Sequence, residues 1–307
     1  MLLAREAWAD CRPSAPCVDA EPMWQSPSAL RFNTISDTQA LPSSKLGVGL
    51  GFTLRFRPAA LNVPSPNQGG RDVNLISHAE ATALTARWGI GNGMELTALA
   101  AGLSQQGAGI KGVTSQSAPS IDSPALQDAR VGFGYALNTH SQRWGAKLRF
   151  EAKLPLGNAE ALAGETGFVG SPSVSLSFKQ GGLFAGLELG ARLRNPTDFF
   201  GLRVGSQASL AAGVGYELVG PRLAFALEVY ALPSVIDSGP NASVPAEWLY
   251  TTRFAPELFG DFSLGVGAGT GLPLTAGAGG ASLGFGLPSF RGLLYVRYAP
   301  GADRHAP

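Results

Sequence analysis

Between residues 143 and 155 the chain alternates without a break. Trp144, Ala146, Leu148, Phe150, Ala152 and Leu154 are interleaved with Arg143, Gly145, Lys147, Arg149, Glu151 and Lys153. A period of two describes a strand with one apolar and one polar face. Residues 182–194 repeat the pattern, with Leu183, Ala185, Leu187, Leu189, Ala191 and Leu193 on one face. Strands of soluble domains run to about 5–6 residues. These are close to the roughly 9–11 needed to cross a bilayer at a tilt. The same reading places strands at 45–57, 76–88, 93–104, 127–138, 143–155, 171–179, 182–194, 202–218, 221–232, 246–255, 260–272 and 287–299. That makes twelve, an even number, as in bacterial outer-membrane barrels.

The connections alternate as well. Pro58–Leu75, Gln105–Leu126, Leu156–Gly170, Asn195–Gly201, Pro233–Pro245 and Pro273–Gly286 are the longer ones. Between them lie short turns such as Gln180–Gly181 and Val219–Gly220. Short periplasmic turns and longer outer loops are the arrangement of an outer-membrane barrel, which a soluble sandwich has no reason to keep. Trp88, Tyr135, Trp144, Phe178, Tyr216, Phe254, Phe262 and Tyr298 all fall in the lipid-facing phase at the short-turn end. One aromatic per strand at one height is an interfacial girdle. The expected fold is therefore all-β: a transmembrane up-and-down antiparallel barrel of twelve strands over 45–299. Residues 1–44 form an N-terminal periplasmic or plug segment, and 300–307 a tail or the start of a linker. Both termini are expected on the periplasmic side. Cys11 and Cys17, the two cysteines of the chain, suit a small disulfide loop in an oxidising compartment.

Composition matters for what lies inside the barrel. Only 15% of residues are charged and the formal net charge is +1, so no global field favours nucleic acid. A charge on the lipid face costs about 2–4 kcal/mol at midplane, so strand charges must point inward. Seventeen of the 23 basic residues fall in the lumen phase, against seven of the 22 acids. The basic set is Lys45, Arg55, Arg57, Arg87, Arg130, Arg143, Lys147, Arg149, Lys153, Lys179, Arg192, Arg194, Arg203, Arg222, Arg253, Arg291 and Arg297. Glu95, Glu151, Glu188, Glu217, Glu228, Glu247 and Asp261 oppose it. Two readings follow. One is a passive, anion-preferring pore for small solutes; the other is a structural barrel whose lumen is closed by an Arg/Glu network. Eight strands are filled by side chains and sixteen leave a channel, and twelve lies between.

Catalytic signals are weak. Gly47–Gly51 alternates with apolar residues on a strand and no helix follows, so it lacks the context of a nucleotide loop. Acyl transfer needs a Ser beside a base His. His140 next to Ser141, and His78 near Ser77 and Glu80, are the nearest approaches, leaving a membrane-embedded hydrolase as a remote alternative. No enzyme activity, metal or cofactor is expected. Glycines 47, 49 and 51 on the first strand and 265, 267, 269 and 271 on the eleventh point inward and leave a wall without side chains. Such glycine marks close approach of other chain, so the N-terminal segment or Thr275–Gly286 is expected to pack there.

The run Cys11–Trp24, the stretch Gly265–Pro273 and Gly286–Gly292 resemble barrel modules of OmpA-family outer-membrane proteins found in myxobacteria. The strand end Leu154–Gly157 is similar, more weakly, to small-solute barrels linked to aromatic degradation pathways. Leu294–Tyr298 resembles the aromatic-ended signal read by the barrel-assembly machinery. These likenesses imply bacterial outer-membrane lipid and that machinery as partners, while the inner charge points to small anionic solutes as cargo.

Overall fold

Each alternating segment pairs with the next across a turn, and the last pairs with the first. The computed structural model describes residues 18–63, 71–109, 121–137, 143–165, 167–199, 202–235, 244–272 and 286–301. Its strands are β1 (Leu46–Val63), β2 (Arg71–Gly91), β3 (Met94–Gly107), β4 (Ile121–Leu126), β5 (Ala129–Ala136), β6 (Trp144–Leu154), β7 (Val169–Gln180) and β8 (Leu183–Arg192). After a small separate hairpin of β9 (Thr197–Phe199) and β10 (Leu202–Val204) come β11 (Gln207–Pro221), β12 (Leu223–Ala231), β13 (Ala246–Phe254), β14 (Phe262–Gly271) and β15 (Phe290–Tyr298). β4 and β5 both pair with β3, on either side of Gln127–Asp128, and together make one stave. Antiparallel pairing of β1 with β15, from Val48 opposite Tyr298 to Phe56 opposite Phe290, closes the ring. The result is a closed antiparallel barrel of twelve staves, with no unpaired edge.

The short turns are built from residues that tolerate positive φ. Gly91 (114°), Asn92 (51°) and Gly93 (77°) join β2 to β3, and Gly181 (58°) joins β7 to β8. At the opposite end the staves run further than alternation alone predicts. β1 and β2 stay paired out to Val63 and Arg71, so much of the connection expected at Pro58–Leu75 is strand. Gly107 likewise ends β3 rather than lying in a loop, and β4 begins at Ile121. Leu202–Val204 belongs to the separate hairpin, so the eighth stave starts at Gln207.

Alternation then sorts the two faces. Outward positions carry Leu50, Leu84, Phe133, Leu148, Leu189, Val214, Leu227 and Leu294, all exposed. Among the described residues, β5–β8 and β11–β15 present no charged side chain outward. At the short-turn end Trp88, Tyr135, Trp144, Tyr216, Phe254 and Phe262 are exposed, and Phe178 and Tyr298 half-exposed. Some pair across strands, with ring centroids 4.6 Å apart for Trp144–Phe178 and 4.8 Å for Phe262–Tyr298. No helix in the described residues is long and apolar enough to cross a membrane.

Candidate functional site

The lumen is not empty. Residues 18–45 run through it from the long-loop end to the short-turn end, where the chain enters β1. Val18 and Ala20 pack at the long-loop end with Ala59, Val73, Leu75, Ile121 and Leu162, and the Ala20 amide donates to the Leu162 carbonyl at 2.9 Å. At the other end the Ser44 amide donates to the Gly89 carbonyl, and the Gly89 amide to that of Lys45. The described chain therefore begins at the long-loop end, and the N-terminus itself, expected to be periplasmic, lies outside the described residues. Cys11, Cys17 and their expected disulfide lie outside the described residues.

Small residues on the wall make room for this inner segment. A Cβ at Gly186 would lie 2.7 Å from Phe32 Cε2, and one at Gly213 2.6 Å from Phe32 Cε1. Phe32 and Ile35 form an apolar cluster there with Phe184, Ala211, Ala226, Leu249 and Leu293, and Phe32 meets Phe184 edge-on at 5.3 Å. Gly47 faces Leu41, Gly51 faces Gln25, and Gly145 faces Thr38. The expected glycine wall is thus covered on the β1 side. On β14 the space is taken otherwise: Gly265 faces Tyr295 and Gly267 faces Thr251 and Leu293. Gly286 touches Pro22, and the rest of Thr275–Gly286 lies outside the described residues.

Polar contacts fix the segment stave by stave. The Glu228 carboxylate on β12 accepts the amides of Asn33 (2.7 Å) and Thr34 (2.8 Å) and the Thr34 hydroxyl (2.7 Å). Glu188 on β8 accepts the Ser36 amide at 2.9 Å. Arg149 donates to Ser26 Oγ, Arg130 to the Gln25 carbonyl, Arg192 to the Pro22 carbonyl and Arg297 to the Phe32 carbonyl. Asp19 pairs with Lys153 at 2.5 Å, and Glu21 with Arg55 at 2.7 Å and Arg291 at 2.9 Å. Burial pushes the Glu21 carboxyl up, but Arg291 and Arg55 outweigh it and hold it below the usual carboxylate range. Trp24 lies between guanidinium groups, 4.2 Å from Arg192 and 4.9 Å from Arg130.

Wall residues also pair with one another. Arg87 and Lys147 both reach Glu95, and Arg149 spans Glu151 (3.2 Å) and Glu188 (2.6 Å). Arg130 meets Glu151 at 3.3 Å, Arg291 meets Glu247 at 2.8 Å, and Lys179 meets Glu217 at 2.9 Å. Arg194 binds Glu165 at 2.6 Å, and Arg253 approaches Glu217 at 3.8 Å.

Four of the basic residues assigned to the lumen are exposed at the barrel ends instead. Arg57 sits in a bulge with φ 47°, where the pairing shifts between Phe56 and Ala59, so the extra residue breaks its phase with Arg55. Lys45 and Arg143 precede their strands at the short-turn end, beyond the reach of alternation. Arg222 lies in the turn before β12 and pairs with the exposed Glu257. The Arg203 side chain lies outside the described residues. Twelve of the seventeen remain buried or half-buried, against all seven of the opposing acids, the six wall glutamates from Glu95 to Glu247 and the half-buried Asp261 before β14. Asp19, Glu21 and Asp37 of the inner segment, with Asp128 and Glu165, bring five more acids, and Arg31 one more base. Thirteen bases against twelve acids leave a local excess of one, where ten was expected. Alternation could not see this, because these acids lie off the strands. Two small cavities of about 40 and 50 Å³ flank Asp19–Trp24.

The hydrolase candidates are not assembled. His78 bonds Glu80 at 3.0 Å on the outer surface, while Ser77 donates to the Gln106 carbonyl. His140 and Ser141 lie outside the described residues.

The chain is similar in structure to an outer-membrane channel from Pseudomonas putida F1, with TM-score 0.58 and 13% identity over 85% of this chain and 97% of that one. It is also similar to the NanC porin, with TM-score 0.50 and 14% identity over 83% and 99%. At this identity the likeness shows a shared fold, that of outer-membrane channels. No protein-family model and no curated protein matches the sequence, so the likeness to OmpA-family modules rests on its short motifs.

Proposed function

We propose that this chain is an outer-membrane channel for small solutes, with a lumen gated by residues 18–45. The outward apolar face and the aromatic girdle fit a lipid surround. The observation that carries the channel reading is where the wall charges find their partners. A barrel closed for strength alone would satisfy its arginines from the wall. Here Arg55 finds its carboxylate, and Arg192 and Arg297 their carbonyls, on a segment that runs into β1 at one end and is otherwise held to the wall, among the described residues, by non-covalent contacts. Moving that segment uncovers a basic, hydrated path.

The residual excess of basic charge in a low-dielectric ring supports a modest anion preference, weaker than a bare wall would give. The fold likeness to channels supports a passive, non-enzymatic role. A structural barrel remains the second reading, favoured by the wall-to-wall network Arg87–Glu95–Lys147.

Planar-bilayer recording under a salt gradient tests the choice on the full chain and on a variant lacking residues 1–44. Rare, small, anion-preferring openings are expected of the full chain, with larger and more frequent ones after deletion. Silence from both, with the barrel shown to be folded, hands the case to the structural barrel.

A further inference from the structure

We infer that the Glu21–Pro22 unit of the inner segment occupies a binding site for a small dicarboxylate, resting on the channel reading above. The Glu21 carboxylate is clamped as a ligand would be. Arg55 Nη1 reaches Oε2 at 2.7 Å, while Arg291 Nη1 and Nη2 reach Oε2 and Oε1 at 3.1 and 2.9 Å. One bidentate guanidinium and a second, single-point one on the same carboxylate form a geometry that selects a planar anion.

The neighbouring Arg192 is the second, independent observation. It is 4% exposed, and among the described residues no carboxylate pairs with it. It donates to the Pro22 carbonyl at 2.6 Å and lies on the Trp24 ring, while its Nε is buried without a partner. A buried cation held by a neutral carbonyl is under-compensated. The nearby acids do not correct this, because Glu165 is engaged by Arg194 and Asp19 by Lys153. A small cavity of about 40 Å³ touches Glu21, Pro22, Trp24 and Arg192, and its other lining residues include Ser234, Pro245 and Gly286 of the long-loop end. A solute entering there passes Arg194, already held by Glu165, and reaches Arg192, a cation with no carboxylate among the described residues. With one carboxylate on Arg192 and another replacing Glu21, it satisfies both positions and lifts the segment from its seat. The inner segment is thus an internal competitor.

The probe is octanedioate, whose carboxyl carbons are separated by the same number of bonds as Glu21 Cδ and the Pro22 carbonyl carbon. Octanoate is the control. Calorimetric titration of the detergent-solubilised full chain should show saturable binding of octanedioate, with octanoate at least tenfold weaker. Glu21→Gln should bind octanedioate on the order of tenfold more tightly, because a competitor has been removed. Arg192→Gln should reduce octanedioate to the octanoate level. In the unmodified chain, octanedioate should also speed hydrogen exchange at the Met23 amide, which now donates to Glu21 Oε1 at 3.0 Å.

Equal affinity for the two probes, or no gain in Glu21→Gln together with unchanged Met23 exchange, overturns the site. A gain in binding with no conductance in any variant overturns the channel and leaves the site. Conductance without octanedioate binding does the reverse.

Discussion

Glu228→Ala is the sharpest perturbation of the inner segment. The carboxylate is 1% exposed and accepts three hydrogen bonds, all from Asn33 and Thr34. Bonds to a charged acceptor are worth about 1.5–3 kcal/mol each, and ordinary ones about 1. Truncation opens space into which water can enter and partly satisfy the freed donors, so the lower figure applies. Three bonds at about 1 kcal/mol make roughly 3 kcal/mol, about a hundredfold in the ratio of seated to unseated segment. Hydrogen exchange read by mass spectrometry should show protection of the Asn33 and Thr34 amides falling about a hundredfold. The ladder amides of β12 and β13 should keep theirs, since Glu228 makes no described hydrogen bond to another stave. Parental protection at Asn33 and Thr34 would refute the claim that this carboxylate seats the segment. Equal loss across β12 would show instead that it holds the barrel.

Gly213→Leu places side-chain atoms where Phe32 lies, so it should unseat the Phe32–Ile35 turn and raise open probability in bilayers while leaving the barrel's thermal transition in place. No change in gating would count against the segment as the gate. Acid should open the channel late. A carboxyl held low stabilises the seated state fully above its ordinary value of 4.5 and loses that contribution only as pH falls through its lowered value. Open probability should therefore stay flat from pH 7 to about 5 as far as Glu21 governs it and rise below 4.5; opening already at pH 6 would contradict this. Changing Arg55, Arg192 and Arg194 together to Gln should shift the reversal potential toward zero, whereas Arg57→Gln should leave it unchanged. An epitope inserted after Asn67 should be labelled on intact cells; labelling only after permeabilisation would invert the topology.

The barrel was legible because lipid imposes a strict alternation on its strands. One wrong residue type at the wrong phase costs several kcal/mol, so the period shows through even glycine-rich staves such as β14. Legibility ended where that constraint ends. Arg57 defeats the alternation because a bulge adds one residue without a composition signal. The inner segment carries no period. Its positions are set by individual partners, such as Glu228 for Thr34 and Lys153 for Asp19, each far away in sequence. The inward glycines were the one hint of it. Glycines 47 and 51 receive Leu41 and Gln25, while those of β14 serve neighbouring strands. The basic excess of the wall is visible in the alternation, but the acids that offset it lie in loops and in the inner segment, where no period marks them.

A chain that passes through its own ring imposes an order of assembly. The inner segment leads directly into β1, and β1 is half of the seam that β15 closes. Were the ring to shut first, everything ahead of Leu41 would have to be threaded through a finished hole. Laying the segment along the open sheet and wrapping β15 around to β1 last needs no threading. A bulky folded domain fused ahead of residue 18 separates the two routes, since it stalls threading and leaves wrapping unhindered.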